Sequence, residues 1–182
     1  MNMKVRLDLH THVGEMFGFQ PPTPEIAEAV ITQIKSAGLD GIGVTDHWRL
    51  DWGLELHRVV ERHFPDQVLI IPGREIDVRP ASSPFDEYHC VELYLPGGRL
   101  FRNYCHPGYY TPNIVIEDGV HGIEVGNFHH DWHIRRPQVE RVAQDYGLMT
   151  FSVSDANTLG EIGVCGTEVD LDDMIRRAIP LD

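Results

Sequence analysis

The apolar residues of this chain recur in short blocks, and their spacing changes between that of a strand and that of a helix. In residues 4–9, KVRLDL, apolar and polar positions alternate, which predicts a half-buried strand. Within residues 23–38, an apolar residue occupies every fourth position from Ile26 to Ile34, which predicts a helix with one buried face. The chain is therefore expected to begin with a strand and an amphipathic helix.

The same change of period continues to the C-terminus and predicts an α/β fold. Further strands are predicted at residues 41–47, 67–78, 88–95, 99–106, 121–127 and 148–155, and further helices at residues 53–64 and 136–147. Residues 168–179 are predicted to begin extended and to end as a helix. The Pro-Gly-Gly turn at residues 96–98 predicts a hairpin-like connection. Repeated strand–helix units predict one domain over residues 1–182 with a mainly parallel sheet, open or closed into a barrel.

The composition is that of an ordinary globular chain. Its 182 residues are 42% hydrophobic, and the sequence contains no run of about 18 apolar residues that would cross a membrane. The N-terminal residues lack the apolar core and the cleavage site of a signal peptide, and they are expected to lead into the first strand. We therefore expect a cytoplasmic protein without a membrane span.

The net charge narrows the possible partners. A formal charge of −13 disfavours extended nucleic acid and anionic lipid, because both carry charge of the same sign. Only a concentrated arginine patch would revive a nuclease of long nucleic acid. The arginines concerned are Arg49, Arg79, Arg99, Arg102, Arg135 and Arg136. Cys90, Cys105 and Cys165 match no zinc-binding or CxxC spacing and are expected to be reduced thiols.

Histidines and carboxylates collect where the predicted strands end. Because the carboxyl ends of parallel strands share one rim, we expect these side chains to lie together. The residues concerned are His10, His12, Asp46, His47, Glu75, His89, His106, Asp155 and Asn157. A single histidine of this kind is usually a solvated surface residue, but so many together would be costly to bury without a cation. The rim therefore predicts a cluster of divalent metal ions.

The pair His10 and His12 has the geometry of two ligands to one ion. Residues i and i+2 of a strand point to the same face, with Cα atoms roughly 6.6 Å apart, so both imidazoles can reach one metal. Asp8 has the same parity, and it is either an acceptor for the back of a ligand imidazole or a buried structural carboxylate. A nitrogen and oxygen ligand set without thiolate suits zinc, manganese or iron. Glu75 can bridge two ions, and a pair of ions is typical of phosphoester hydrolysis.

Taken in order, the stretches at the strand ends resemble the PHP family, the polymerase and histidinol phosphatase family of metal-dependent phosphoesterases. The matching stretches are DLHTH, GIGVTDH, IPGREI, EYHCVELYL, CHPG, GIEVGN, VSDAN and TLGEIG, which run from about residue 5 to residue 165. The resemblance implies a distorted seven-stranded (βα) TIM-like barrel with metals at the C-terminal rim. The short connection at residues 96–98 leaves no room for a crossover helix, so the barrel is expected to be abbreviated.

The resemblance also implies the ligands of two ions. One ion would be held by His10, His12, Glu75 and Asp155. The second would be held by Glu75, His89 and His106. His47 occupies a position that helps to hold a third ion in the family. Its usual partners are replaced, since Phe17 or Gly18 falls near the expected acidic residue or histidine, and Asn157 stands in place of a histidine. A third site at His47 and Asn157 is therefore expected to be weak or empty.

These observations predict a hydrolase of a phosphomonoester or a short phosphodiester, with a metal-bridging hydroxide as the nucleophile. Asp46 is expected to orient a ligand imidazole, and His47 to act as an acid or an anchor if no third metal binds. Residues 127–136 lie outside the family pattern. They form either a substrate loop, in which His133, Arg135 or Arg136 meets a phosphate, or simply a polar loop.

Two further readings of the sequence stay open. His129 or His130 is able to replace a missing metal ligand. The whole chain is alternatively a metal-binding module with weak or no catalysis that serves a regulatory or partner-binding role. The sequence does not determine the oligomeric state.

Overall fold

Eight strands follow one another around a sheet that closes almost into a barrel. The computed structural model describes residues 4–181. The strands are β1 (Lys4–Asp8), β2 (Gly41–Val44), β3 (Leu69–Val78), β4 (Tyr88–Leu95), β5 (Arg99–Tyr104), β6 (Gly122–Asn127), β7 (Met149–Val153), β8 (Thr167–Asp170) and β9 (Ile179–Pro180). The helices are α1 (Val13–Met16), α2 (Pro24–Ser36), α3 (Asp51–His63), α4 (Arg136–Tyr146) and α5 (Leu171–Arg177), with a 3-10 turn at Leu159–Glu161. Residues 1–3, which we expected to lead into the first strand, and residue 182 lie outside the described residues.

The prediction of seven strands was wrong, because eight strands form the nearly closed sheet, and two of these eight run against the others. The strand order is β7-β6-β5-β4-β3-β2-β1-β8, and the short β9 pairs with β5. Strands β1, β2, β3, β5, β6 and β7 share one direction, whereas β4 and β8 are antiparallel to their neighbours. The hairpin at residues 96–98 is confirmed, since it joins the antiparallel strands β4 and β5. Because β4 runs backwards, its first residues reach the rim at which the parallel strands end.

Strands β7 and β8, which lie at the two ends of this order, are joined by the side chain of Thr167. The hydroxyl of Thr167 on β8 accepts the backbone N–H of Ser152 on β7 at 2.7 Å, and it donates to the carbonyl of the same residue at 3.0 Å. One threonine thus satisfies both polar groups of a residue on the facing strand. This contact joins the two edges of the sheet.

Replacing Thr167 with valine should lower the free energy of unfolding by about 1–3 kcal/mol, because both partly buried backbone groups of Ser152 lose their partner. For a chain of this size, each kcal/mol corresponds to a fall of about 2–4 °C in Tm. Thermal unfolding measures the change, and Thr32→Val on the exposed face of α2 is the matched control. An unchanged Tm in Thr167→Val would show that this contact does not stabilise the closed sheet.

Apolar side chains fill the inside of the sheet and cover its outside. The inner cluster includes Leu7, Leu93, Phe101 and Phe151, and Met174 of α5 packs into it. Outside, α2 and α3 cover one side of the sheet and α4 covers another. The tail is confirmed as a strand followed by a helix. Among residues 4–181, no helix combines the length and the apolar character that crossing a bilayer requires.

Candidate metal centre

The predicted ligands converge at the rim where the parallel strands end. His10 and His12 follow β1, Glu75 lies within β3, His89 is the second residue of β4, and His106 and Asp155 follow β5 and β7. All six are buried. His106 and Asp155 have φ values of 26° and 57°, in the left-handed region that residues other than glycine rarely adopt. Strained backbone of this kind clusters at functional sites.

Glu75 is the centre of the cluster, and its two oxygens face different imidazoles. Oε1 lies 2.6 Å from Nδ1 of His89 and 3.2 Å from Nε2 of His106. Oε2 lies 3.3 Å from Nε2 of His10 and 3.5 Å from Nε2 of His12. A carboxylate with a separate group of nitrogens on each oxygen has the arrangement of a bridging ligand.

Asp155 joins the group on the Oε2 side of Glu75. Its Oδ1 lies 2.9 Å from Nε2 of His12 and 3.5 Å from Nε2 of His10. One ligand atom from each of His10, His12 and Asp155 lies within 4.8 Å of the others, and the same holds for Glu75, His89 and His106. The structure therefore brings together the two sets of residues that the resemblance implied.

These residues fit divalent metal ions better than they fit one another. Burial opposes ionisation of Glu75, but the imidazoles, with His10 foremost, hold the pKa of its carboxyl well below the ordinary value. A neutral imidazole carries only one N–H. Within residues 4–181, His10 Nε2 and His89 Nδ1 are buried beside Glu75, yet neither has a hydrogen-bond partner. Ionised carboxylates beside free imidazole lone pairs are the donor set of zinc, manganese or iron.

Glu124 supports this cluster, and the sequence did not single it out. Its Oε1 lies 2.8 Å from Nδ1 of His10, and its Oε2 accepts the backbone N–H of His106 at 2.7 Å. A carboxylate that only accepts requires the proton of His10 on Nδ1, which leaves Nε2 free to bind a metal. The sequence does contain one signal for Glu124: it is the only charged residue of the strand GIEVGN and lies between Ile123 and Val125, where an unpaired charge would be costly to bury.

A β-bulge in β6 places Asn127 beside Glu124. The register with β7 shifts between Glu124 and Gly126. The extra residue turns Asn127 inward, where its amide donates to Glu124 at 3.0 Å and to Asp155 at 3.1 Å. Asn127 thereby links the carboxylate of Glu124 on β6 with that of Asp155, which follows β7.

Asp46 does not orient an imidazole as we expected. Its side chain is fully buried, and its two oxygens accept the backbone N–H groups of Gly14 and Glu15 at 3.0 and 2.8 Å. A Cβ on residue 14 would lie only 2.7 Å from Asp46 Oδ2, so glycine is required for this approach. Asp46 therefore fixes the start of α1, and through α1 it positions Glu15.

Glu15 is an acidic partner of His47. The resemblance placed such a residue near Phe17 or Gly18, and Glu15 lies a few residues earlier in the chain. Its Oε1 lies 2.8 Å from Nδ1 of His47 and also accepts the backbone N–H of His47. The carboxylates of Glu15 and then Glu75 raise the pKa of His47 to about 10. Ligand atoms of His12, Glu15 and His47 lie within 4.8 Å of one another.

Asn157, which was expected beside His47 in a weak third site, makes its hydrogen bonds to other residues. Its amide donates to the carbonyl oxygen of Asp155 at 3.2 Å, and its backbone N–H donates to Glu161 at 2.8 Å. Its side chain lines the same cavity as His47. Glu15, rather than Asn157, is thus the residue in hydrogen-bond contact with His47.

Asp8 and Cys105 lie just below the centre. Asp8 accepts the backbone N–H groups of Ser154 and Gly163, both at 3.0 Å, which makes it a structural carboxylate. Burial raises the pKa of Asp8 to about 6. The thiol of Cys105 lies close to His10 and Glu75, and burial raises its pKa well above the ordinary value, so it is a neutral core residue.

The three residues expected to bind substrate lie apart from the centre. Arg136 pairs with Glu140 one turn along α4 at 2.8 Å. Arg135 and His133 line a neighbouring cavity of about 250 Å³. The ring of His133 lies 5.0 Å from that of Tyr109 and 5.6 Å from that of His130.

An open cavity of about 280 Å³ gives access to the cluster. Its lining includes the predicted ligands Glu75, His89 and Asp155. Two aromatic side chains, Tyr109 and Tyr110, stand at its edge and are 40% and 49% exposed. A buried metal-ligand set below a cavity open to solvent can bind a small molecule.

Comparison with solved structures shows that the fold recurs in other proteins. A candidate metal-dependent phosphoesterase from Bifidobacterium adolescentis is 13% identical, with a TM-score of 0.70 over 96% of this chain and 97% of that one. PsfC from Pseudomonas syringae is 18% identical, with a TM-score of 0.63 over 96% and 88% of the two chains. An amidohydrolase from Chromobacterium violaceum with bound sulfate is 14% identical, with a TM-score of 0.60 over 96% and 97%. This chain shares their fold.

At these identities the likeness concerns the fold alone. No protein-family model matches the sequence, and no curated protein matches it significantly. The chemistry of this protein must therefore be argued from its own side chains.

Proposed function

We propose that this protein is a metal-dependent hydrolase of phosphate esters, and that its substrate is a phosphomonoester or a short phosphodiester. The observation that carries the proposal is Glu75, whose two oxygens face separate groups of buried imidazoles. Two of the proteins that share the fold are described as a candidate metal-dependent phosphoesterase and an amidohydrolase. Metal-dependent hydrolysis is common to both descriptions.

Each residue of the centre has a role in this proposal. One divalent ion would be held by His10, His12, Glu75 and Asp155, and a second by Glu75, His89 and His106. When bound, such a pair activates water and neutralises charge on a phosphoryl group. Glu124 fixes the orientation and the tautomer of His10. His47, about half exposed at the edge of the cavity, would donate a proton or anchor the phosphate.

A third ion at His12, Glu15 and His47 would compete with that role of His47. Nδ1 of His47 faces Glu15 and Nε2 faces Glu75. A metal on either nitrogen would displace the proton that the nitrogen carries. With one nitrogen bound to metal, His47 would keep a proton only on the other nitrogen and would lose the charge of the imidazolium, so its role as proton donor is proposed for the state in which this third position is empty.

The arginines support a small substrate over extended nucleic acid. Four of the six arginines named for a possible basic patch pair with carboxylates at 2.6–3.1 Å, namely Arg49, Arg79, Arg102 and Arg136. Arginines paired in this way form no free basic surface, and the net charge is −13. A small phosphorylated molecule would instead be attracted by the metal ions within the cavity.

The open cavity favours an enzyme over a metal-binding module without catalysis. Structural metal sites are closed by protein ligands, whereas catalytic sites keep a position open to substrate. Here the cavity reaches His12, His89 and His106 from solvent. Amide hydrolysis is the competing chemistry, since one protein with this fold is an amidohydrolase.

The test is release of inorganic phosphate by chelator-treated protein to which Mn²⁺, Zn²⁺, Fe²⁺ or Co²⁺ is returned. We expect metal-dependent turnover of simple phosphomonoesters or of short diesters, and none of matched N-acyl amides. Turnover of the amides alone would replace the proposal with amide hydrolysis. Binding of metal without turnover of any substrate would favour the non-catalytic module.

A further inference from the structure

The loop between β6 and α4, residues 128–135, brings a further imidazole to the six predicted metal ligands. This loop lies outside the stretches that resemble the PHP family. The side chain is that of His130, whose Nε2 lies 3.6 Å from Oδ2 of Asp155. Its ring lies 4.5 Å from the ring of His106. One ligand atom from each of His106, His130 and Asp155 lies within 4.8 Å of the others.

We infer that His130 is a metal ligand that this chain adds to the centre and that it binds a divalent ion together with His106 and Asp155. The inference rests on the proposed metal centre. It concerns which residues bind metal, and it does not depend on which bond the enzyme cleaves.

The loop is built to hold His130 in this place. Oδ1 of Asn127 accepts the backbone N–H groups of His129 and His130, both at 3.0 Å. The amide of the same asparagine donates to Glu124 and Asp155. One side chain therefore fixes the turn that carries His130 and also the carboxylate that His130 faces.

The two oxygens of Asp155 divide between different imidazoles, as those of Glu75 do. Oδ1 faces His10 and His12, whereas Oδ2 faces His130. The 3.6 Å between Oδ2 and Nε2 of His130 is too long for a hydrogen bond. It is close to the separation of about 3.4 Å between two ligand atoms on one tetrahedral ion with bonds of about 2.1 Å.

The other nitrogen of His130 shows that the ring is not placed for hydrogen bonding. Nδ1 is buried, and among the described residues it has no hydrogen-bond partner. The ring is held by packing instead, since that of Tyr109 lies 4.6 Å away and that of His133 lies 5.6 Å away. An imidazole that is fixed by its neighbours without a hydrogen bond is free to offer a lone pair to an ion.

The matched control lies next to His130 in the same loop. His129 has the same side chain, but its Nε2 faces Glu161 at 3.3 Å, away from the cluster. Removing either imidazole leaves the turn at Asn127 intact, because that turn uses backbone N–H groups. A difference between the two variants therefore reports the position of the imidazole.

The experiment is a crystal structure of the full chain loaded with Zn²⁺ or Mn²⁺, in which anomalous scattering locates the metal, together with metal titrations. In the wild type we expect an anomalous peak at about 2.0–2.2 Å from a nitrogen of His130. In His130→Ala we expect that peak to disappear, or the affinity for one ion to fall at least tenfold. In His129→Ala we expect both to be unchanged.

The anomalous map of the wild-type protein tests whether His130 binds metal even if a variant fails to fold. Metal at the Glu75 and His10 groups with none bonded to His130 would overturn this inference and leave the proposed function standing. Absence of metal from the whole centre would overturn both. Because catalysis is not measured here, failure to hydrolyse phosphate esters cannot be mistaken for failure of this inference.

Discussion

Glu75→Gln should lower metal-dependent phosphate release by about 10³-fold or more, comparable to removing a group that stabilises transition-state charge. Each oxygen of Glu75 faces its own group of imidazoles, so the amide would place an N–H₂ donor where one ion is expected. We also expect the number of bound ions per chain to fall, because both sites lose their shared ligand. Phosphate release at saturating Mn²⁺ or Zn²⁺, together with metal analysis of the dialysed protein, measures the two effects.

Glu92→Gln is the matched control for this substitution. Glu92 lies on β4 and is buried to nearly the same extent as Glu75, with 3% and 2% of the residue exposed. Its carboxylate pairs with Arg74 and Arg102 instead of with histidines. The Glu92→Gln variant should have a lower free energy of unfolding and should keep its bound metal. Full activity and full metal content in Glu75→Gln would show that Glu75 does not bridge two ions.

Glu124→Gln should lower the affinity for metal by about 10- to 100-fold, the usual cost of losing a partner behind a metal-binding histidine. Glu124 meets only donors: His10 Nδ1, the backbone N–H of His106, and the amides of Asn127 and Asn103. A glutamine would turn its own N–H₂ group towards one of them. We therefore also expect the free energy of unfolding to fall by about 1–3 kcal/mol.

Metal titration followed by calorimetry, and urea unfolding of the metal-free protein, separate these two effects. Glu140→Gln, on the exposed side of α4, controls for the loss of one negative charge. Unchanged affinity in Glu124→Gln would mean that Glu124 supports only the fold, and that His10 is oriented without it.

Much of the centre could be predicted because strand geometry is a local rule. His10 and His12 lie just past β1, where the chain still pairs through Thr11, and they converge as the alternation of side chains along a strand predicts, at the rim where parallel strands end. The same rule predicts that the two histidines lie with Glu75 and Asp155. His89 was also expected at the rim, and it lies there as the second residue of β4, which runs against its neighbours in keeping with the predicted hairpin at residues 96–98.

The contacts that the sequence did not predict join residues far apart in the chain. Glu15 meets His47 across 32 residues, and His10 meets Glu124 across 114. Asp46 was expected beside an imidazole, yet its oxygens are used by backbone N–H groups of α1. Neither hydrophobic period nor residue type shows which partner a buried polar group will find.

The sequence alone determined the α/β class, the position of the rim and the chemistry of its six predicted metal ligands, because these follow from the period of each strand and from where it ends. The tertiary structure decided the direction of β8, the inward turn of Asn127 at the bulge, and the approach of Glu15, Glu124 and His130 to the cluster. Strand direction, bulges and the pairing of buried charges depend on contacts between distant segments, which exist only when the sheet has closed.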